Sequence, residues 1–100
     1  LPAGPRWVRR VSKVRGHLQR LYAKAARAFL HLHRFCQCGC GRRSEHVHHT
    51  RGRVGPLLLD QRFWRAVCAT CHDWIGRNPD QARRRGWLCE LGMWNVPERT

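Results

Sequence analysis

Three short segments carry residues able to do chemistry. Glu45-His46-Val47-His48-His49 places three imidazoles within four positions, and Cys68-Ala69-Thr70-Cys71-His72 runs a CxxC directly into another histidine. Upstream, Cys36-Gln37-Cys38-Gly39-Cys40-Gly41 forms a second cysteine knuckle. Structural Zn2+ takes four tetrahedral Cys or His ligands, so two cysteine pairs satisfy one ion. The histidines are then surplus, available for a second and more open metal site. Cys68 and Cys71 supply one pair of zinc ligands. The other pair comes from Cys36, Cys38 and Cys40, none of which stands at CxxC spacing to another. Cys36 with Cys40 is favoured because the longer gap chelates with less strain, and Cys38 is the alternate. Cys89 reads as a buried apolar residue. Six cysteines also allow three disulfides in a secreted chain. The knuckle spacing, the neighbouring histidines and the lack of a signal-like segment argue for the metal.

The elements that must position these groups are legible in outline. On a regular strand alternate residues share a face, so His46 and His48 point one way and His49 the other. Joint action of His48 and His49 therefore requires the strand to end or twist there. His72 follows Cys71 and is fixed by the zinc site. Residues 44–48 read as a strand, and residues 57–67 hold a second. Thr70 is expected to cap a short helix from about Cys71 to Gly76. Asn78-Pro79-Asp80 starts another helix, with Asn as cap and Pro at the first helical position, and Gly86 stops it. The apolar tail from Trp87 to Trp94 is expected to fold back over the core.

Upstream, Leu18, Leu21, Tyr22, Ala25, Phe29 and Leu32 recur at helical spacing, predicting a helix from about Val14 to His33. Arg20, Lys24, Arg27, His31 and Arg34 form a second, basic face. The predicted organisation is a flexible basic arm over 1–13, then a single domain over 14–100. That domain comprises a helix over 14–34, a zinc-stapled core over 36–78, and a C-terminal helix and apolar tail over 79–100. One hundred residues bury a modest core and commonly need a metal or disulfides as a staple.

The net charge is +14, with only six acids against twenty basic residues, of which Lys13 and Lys24 are the two lysines. Such a surface suits phosphate, which guanidinium grips bidentately and whose released counterions drive binding. Nucleic acid is the expected partner, read with weak sequence preference, since no base-reading pattern is present. Arg51, Arg53, Arg42, Arg43, Arg20, Lys24 and Arg27 are the candidate contacts. No segment approaches the ~20 apolar residues of a membrane span, and a cytoplasmic location is expected.

Together, CxCGCG at 36–41, VHHTRGRVGPLLLD at 47–60, AVCATCHDWI at 66–75 and NPDQARRRGWL at 78–88 resemble the small, zinc-stapled HNH endonucleases of phages and their bacterial hosts. The resemblance covers about half the chain. It implies an α+β fold of the ββα-metal (His-Me finger) type, with the histidine pair on the first strand and the last histidine on the helix. His49 then corresponds to the general base, while His48 and His72 correspond to ligands of a catalytic divalent cation, Mg2+, Mn2+ or Ni2+. Double-stranded DNA is the partner that the resemblance implies, and hydrolysis would leave 5′-phosphate and 3′-hydroxyl ends in the DNA of a bacterial or phage-infected cell. Two positions depart from the family. Phe63 stands where the family has its middle Asn, with Asp60 or Gln61 as substitutes, and Gly76 stands where relatives often carry a further histidine, leaving that place to water or Asn78. The alternative function is a non-catalytic, zinc-stapled nucleic-acid-binding module derived from such a nuclease.

Overall fold

The computed structural model describes residues 6–97, with side chains from Val14 onward. It is a small α+β domain. Helix α1 spans Arg6–Leu32, strand β1 His46–His49, strand β2 Trp64–Val67, helix α2 Ala69–Arg77 and helix α3 Pro79–Arg84. Two single-turn 3-10 helices, Gly55–Leu58 and Gln61–Phe63, lie between the strands.

The helix begins at Arg6, well before the predicted Val14, so most of the arm expected over 1–13 is helical. The last helix-breaking residue of that region is Pro5, and nothing after it interrupts a helix. Residues 1–5 of the expected arm lie outside the described residues.

The strands pair antiparallel, with His46 opposite Val67, Val47 opposite Ala66, His48 opposite Arg65 and His49 opposite Trp64. Period-two alternation therefore divides the hairpin into two faces. Val47, Trp64 and Ala66 pack on α1 through Phe29, Tyr22 and Ala25. Val67 packs with Ile75, Cys36, Cys68 and Ala82 on the other side, under Trp74 and Trp87. Burial of Val67 and Ile75, each almost fully enclosed, contributes roughly 1.5–3 kcal/mol per side chain.

Each strand is only four residues long and covers a short stretch of helix. Of the predicted apolar stripe, Tyr22, Ala25 and Phe29 meet the sheet, whereas Leu18, Leu21 and Leu32 remain exposed. The second strand is shorter than the predicted 57–67 run because Pro56 starts a 3-10 turn and Asp60 caps the next. In that first turn Leu57 is nonetheless a core residue, 1% exposed.

Helix α2 is capped by Cys68, whose sulfur accepts the amide of Cys71 at 3.4 Å, and not by the expected Thr70. The sulfur of Cys68 thus satisfies one of the orphan amides of the helix start. Helix α3 starts at Pro79 as predicted, and Gly86 ends it at φ 79°, a left-handed value that glycine adopts without strain.

The tail folds back as expected, but its bonds run to the loop after β1. Cys89 N–H donates to Thr50 O at 2.8 Å, and Asn95 N–H donates to Arg51 O at 2.7 Å. Asn95 Oδ1 in turn accepts the amide of Arg53 at 3.1 Å. Gly52 is required at this crossing, because a Cβ there would lie 2.1 Å from Asn95 Oδ1.

Candidate metal centre and histidine cleft

Of the three knuckle cysteines, Cys36 and Cys40 come together with Cys68 and Cys71, and Cys38 does not. The sulfurs of Cys36, Cys40, Cys68 and Cys71 all lie within 4.8 Å of one another, a cluster able to hold a structural metal such as zinc. Cys40 and Cys68 sulfurs approach to 3.6 Å. All six cysteines are free, so no disulfide competes.

The knuckle turns through Gly39 and Gly41, both at positive φ. It docks on β2 through Gln37, whose amide donates to Ala66 O and whose Oε1 accepts Ala66 N–H. Burial pushes the Cys36 thiol up, but the amides of Cys68 and Cys38 and neighbouring thiols bring it down to about 7. Cys68 is also lowered, chiefly by the Cys71 amide. Burial and the Cys36 charge raise Cys38, whose sulfur lies outside the quartet, to about 11. Burial likewise raises Cys71, and its contacts with the Cys68, Cys36 and Cys40 sulfurs add to the rise. Cys89 is half-buried, less enclosed than the sequence leads one to expect.

The histidines divide as the alternation requires. His72, on α2, has its ring centroid 5.5 Å from those of both His46 and His48. His49 instead stacks against Tyr22 and Trp64 on the α1 side, at 5.5 and 5.6 Å. Because β1 ends at His49, the two faces open into one cavity of about 520 Å3 lined by His48, His49 and His72.

Hydrogen bonds assign the ring protons of both buried histidines. A carbonyl oxygen only accepts, so a ring nitrogen bonded to one must carry hydrogen. His48 Nε2–H donates to Trp87 O at 2.7 Å, and His49 Nε2–H donates to Leu58 O at 3.3 Å. In the neutral rings Nδ1 is then the lone-pair nitrogen. Burial holds both rings below the ordinary histidine pKa. His72, at the open mouth, is lowered by partial burial and by the His46 imidazole. Neutral imidazole is the form that binds a metal or takes a proton.

The loops behind these groups are tied down without the expected Asn. Asp60 accepts the amide of Arg62 at 3.2 Å and pairs with its guanidinium at 2.7 Å. The Phe63 carbonyl accepts both the amide and the hydroxyl of Thr50, at 2.8 and 3.0 Å. Gly76 lines the cavity, and the space where its Cβ would stand is open. Asn78 donates its side-chain amide to Trp74 O at 3.0 Å and so serves the end of α2.

Of the candidate DNA contacts, only Arg53 lines this cavity. Its guanidinium lies 4.9 Å from the Tyr22 ring centroid, and its charge contributes to the lowered His49 pKa. Arg51 is turned to the tail, where its Nε donates to Val96 O at 2.6 Å and its guanidinium covers the Phe63 ring. Arg42, Arg43, Arg20, Lys24 and Arg27 are exposed and do not line the cavity. The spacing Arg51-Gly52-Arg53 made the two arginines look equivalent, and the tail separates them. On the expectation of a DNA partner, Arg53→Gln lowers the affinity and flattens its salt dependence by about one unit of slope. Arg51→Gln is expected to loosen the tail, lowering the melting temperature with little change in salt slope. Equal effects of both variants on binding, measured by fluorescence anisotropy across a salt series, would contradict this division.

The groups that the sequence does not point to are backbone carbonyls, those of Trp87 and Leu58; of the Arg83-Arg84-Arg85 run, which the sequence leaves balanced between a substrate contact and a solvated helix end, only Arg83 lines the cavity. Carbonyls carry no signature in residue type. Arg83 had one available signal, Asp80 three positions earlier on the same helix face. No helix among the described residues is long and apolar enough to cross a membrane. No family model matches the chain, and neither a curated protein nor a solved structure matches it.

Proposed function

We propose that this protein is a metal-dependent DNA endonuclease of HNH type, built on a ββα-metal arrangement of β1, β2 and α2. The observation that carries the reading is the convergence of His48, His49 and His72 on one cavity, with the His49 proton assigned to Nε2. His49 Nδ1 then acts as the general base. It takes a proton from water as the water oxygen bonds to phosphorus and the bond from phosphorus to the 3′-oxygen breaks. The products carry a 5′-phosphate and a 3′-hydroxyl, the 3′-oxygen gaining its proton from solvent. The Leu58 carbonyl keeps the tautomer, and Tyr22 and Trp64 hold the ring plane.

The donor set suits a divalent cation: His48 Nδ1 carries a lone pair, Trp87 fixes the ring from behind, and His72 is kept neutral. When bound, such an ion supplies charge stabilisation at the phosphate and the leaving oxygen. Asp60 and Thr50 take over the loop-steadying part that the missing Asn plays in the family. Arg53 brings positive charge to the cavity where the phosphate would lie.

The test is cleavage of supercoiled plasmid by the zinc-loaded protein with Mg2+, Mn2+ or Ni2+, beside an EDTA control. Metal-dependent nicking is the expected outcome. Gly76, which offers no ligand, favours a second reading as a non-catalytic nucleic-acid-binding module. DNA binding with no cleavage under any metal would select it.

The pH profile follows from the burial of His49. Its pKa lies below the ordinary 6.5, so the ring stays neutral, and competent as a base, at and somewhat below that pH. Cleavage is expected to be flat above pH 6.5 and to fall only on the acid side of it. A rate that already halves above pH 7 would show a base with a raised pKa and would contradict the assignment.

A further inference from the structure

One imidazole of the histidine run has no part in the site described above. His46 opens β1 and is exposed. Residues two apart on a strand share a face and stand about 6.6 Å from one another, so His46 and His48 are side by side. His72, from α2, meets both. Its ring centre lies 5.5 Å from that of His46 and 5.5 Å from that of His48.

Those separations are close to what one shared metal ion requires. A histidine nitrogen binds an ion such as Zn2+ at about 2.0–2.1 Å, which, with the radius of the ring, sets the centres of two imidazoles on one tetrahedral ion about 5 Å apart. Among the described residues, only the cysteine quartet already has its donor atoms within 4.8 Å of one another. The imidazoles therefore close on an ion by turning about their side-chain torsions. His46 and His72 are both exposed and have room to turn. His48 is held by the bond from its Nε2–H to Trp87 O and offers Nδ1.

The neighbouring groups of other types are otherwise engaged. One turn after His72, α2 has Gly76, which gives no ligand. Asn78 is bonded to Trp74 O. Of the carboxylates next to these histidines in the chain, Asp73 pairs with Arg77 at 3.1 Å and Glu45 accepts the Ala69 amide at 3.4 Å. The donors that come together are thus imidazole nitrogens. Imidazole suits Ni2+, Zn2+ and Cu2+, whereas Mg2+ takes oxygen ligands. Three protein ligands with one position left open is also the pattern of catalytic zinc sites.

We propose that His46 is a third imidazole ligand, completing with His48 and His72 a three-nitrogen site for a late first-row divalent ion such as Ni2+. The proposal rests on the metal-dependent reading of this cleft and adds to it a ligand and an ion preference.

The experiment is calorimetric titration of Ni2+ into the zinc-loaded chain, without DNA. One Ni2+ per chain is expected, with the zinc retained, and a large excess of Mg2+ is expected not to displace it. His46→Ala is expected to weaken Ni2+ binding at least about tenfold, since even the outer partners of metal-bound histidines are worth about 10–100-fold. The fold of that variant, followed by circular dichroism, should be unchanged, because the side chain is exposed. His31→Ala, which removes an exposed imidazole of α1, is expected to bind Ni2+ like the wild type.

Equal Ni2+ affinities of His46→Ala and wild type would overturn the proposal, leaving His48 and His72 as the only histidine ligands. Equal losses in His46→Ala and His31→Ala would overturn it as well, marking the binding as a general property of surface histidines. Absence of Ni2+ binding by the wild-type chain would overturn it even where plasmid is cut with Mg2+, and the nuclease reading would then stand without this site. Ni2+ binding that depends on His46, in a chain that cuts no plasmid, would uphold the ligand set and set the nuclease reading aside.

Discussion

His49→Ala is expected to lower plasmid cleavage by about 10²–10⁴-fold, the range over which a positioned general base acts. The same variant should bind DNA nearly as well as the wild type. His49 is 5% exposed and adds no fixed charge to the surface, so its removal leaves the cationic surface intact. The ring is held on three sides, by Tyr22, Trp64 and the Leu58 carbonyl, and alanine leaves a small void among them. Some loss of stability is therefore expected, and cleavage should be compared at a temperature where both proteins are folded. His48→Ala gives the companion result, with cleavage lost but recovered in part at higher metal concentration, because a ligand and not the base has been removed. Undiminished cleavage by His49→Ala would end the proposed mechanism. Equal loss of cleavage and of DNA binding would make the histidine a structural residue.

Cys68→Ser is expected to unfold the domain. Cys68 is both a member of the cysteine quartet able to hold a metal and the cap of α2, and it lies in the core with Val67, Ile75 and Cys36. Structural zinc contributes on the order of 10 kcal/mol of binding free energy to small metal-stapled folds, comparable to the whole stability of a domain this size. A strong chelator should have the same effect on the wild type. The control is Cys38→Ser, which removes the one knuckle thiol outside the quartet and should retain one zinc per chain. Circular dichroism and metal analysis of the three proteins decide the matter. A folded, zinc-free Cys68→Ser protein would show that the apolar clusters suffice alone. Loss of zinc from Cys38→Ser would place Cys38 among the ligands.

The sequence conveys the inventory of chemistry and much of the local structure. The CxxC, the knuckle and the histidine run are recognisable because ligand chemistry restricts residue type. Alternation on a strand predicts that His46 and His48 share a face, and the His72 contacts agree. The start of α3 is legible because proline at the first helical position acts within one turn, although Asn78 makes no side-chain capping bond there and bonds back to α2. Helix α1 is legible by its period, but the share of its apolar stripe that finds a partner is not. Four-residue strands cover Tyr22 to Phe29 and leave Leu18, Leu21 and Leu32 outside.

What local rules leave undetermined are choices between equivalent residues. Cys36, Cys38 and Cys40 are alike in the sequence, and Cys38 is left out by the turn at Gly39 and the docking of Gln37 on β2. Arg51 and Arg53 are alike until the returning tail engages one and leaves the other in the cavity. The histidine tautomers depend on carbonyls of Leu58 and Trp87, nine and thirty-nine positions away along the chain. Residue type and periodicity act over a turn or a strand. Selection among like residues depends on which distant backbone groups packing brings within hydrogen-bonding distance, and that is settled when the chain closes on itself.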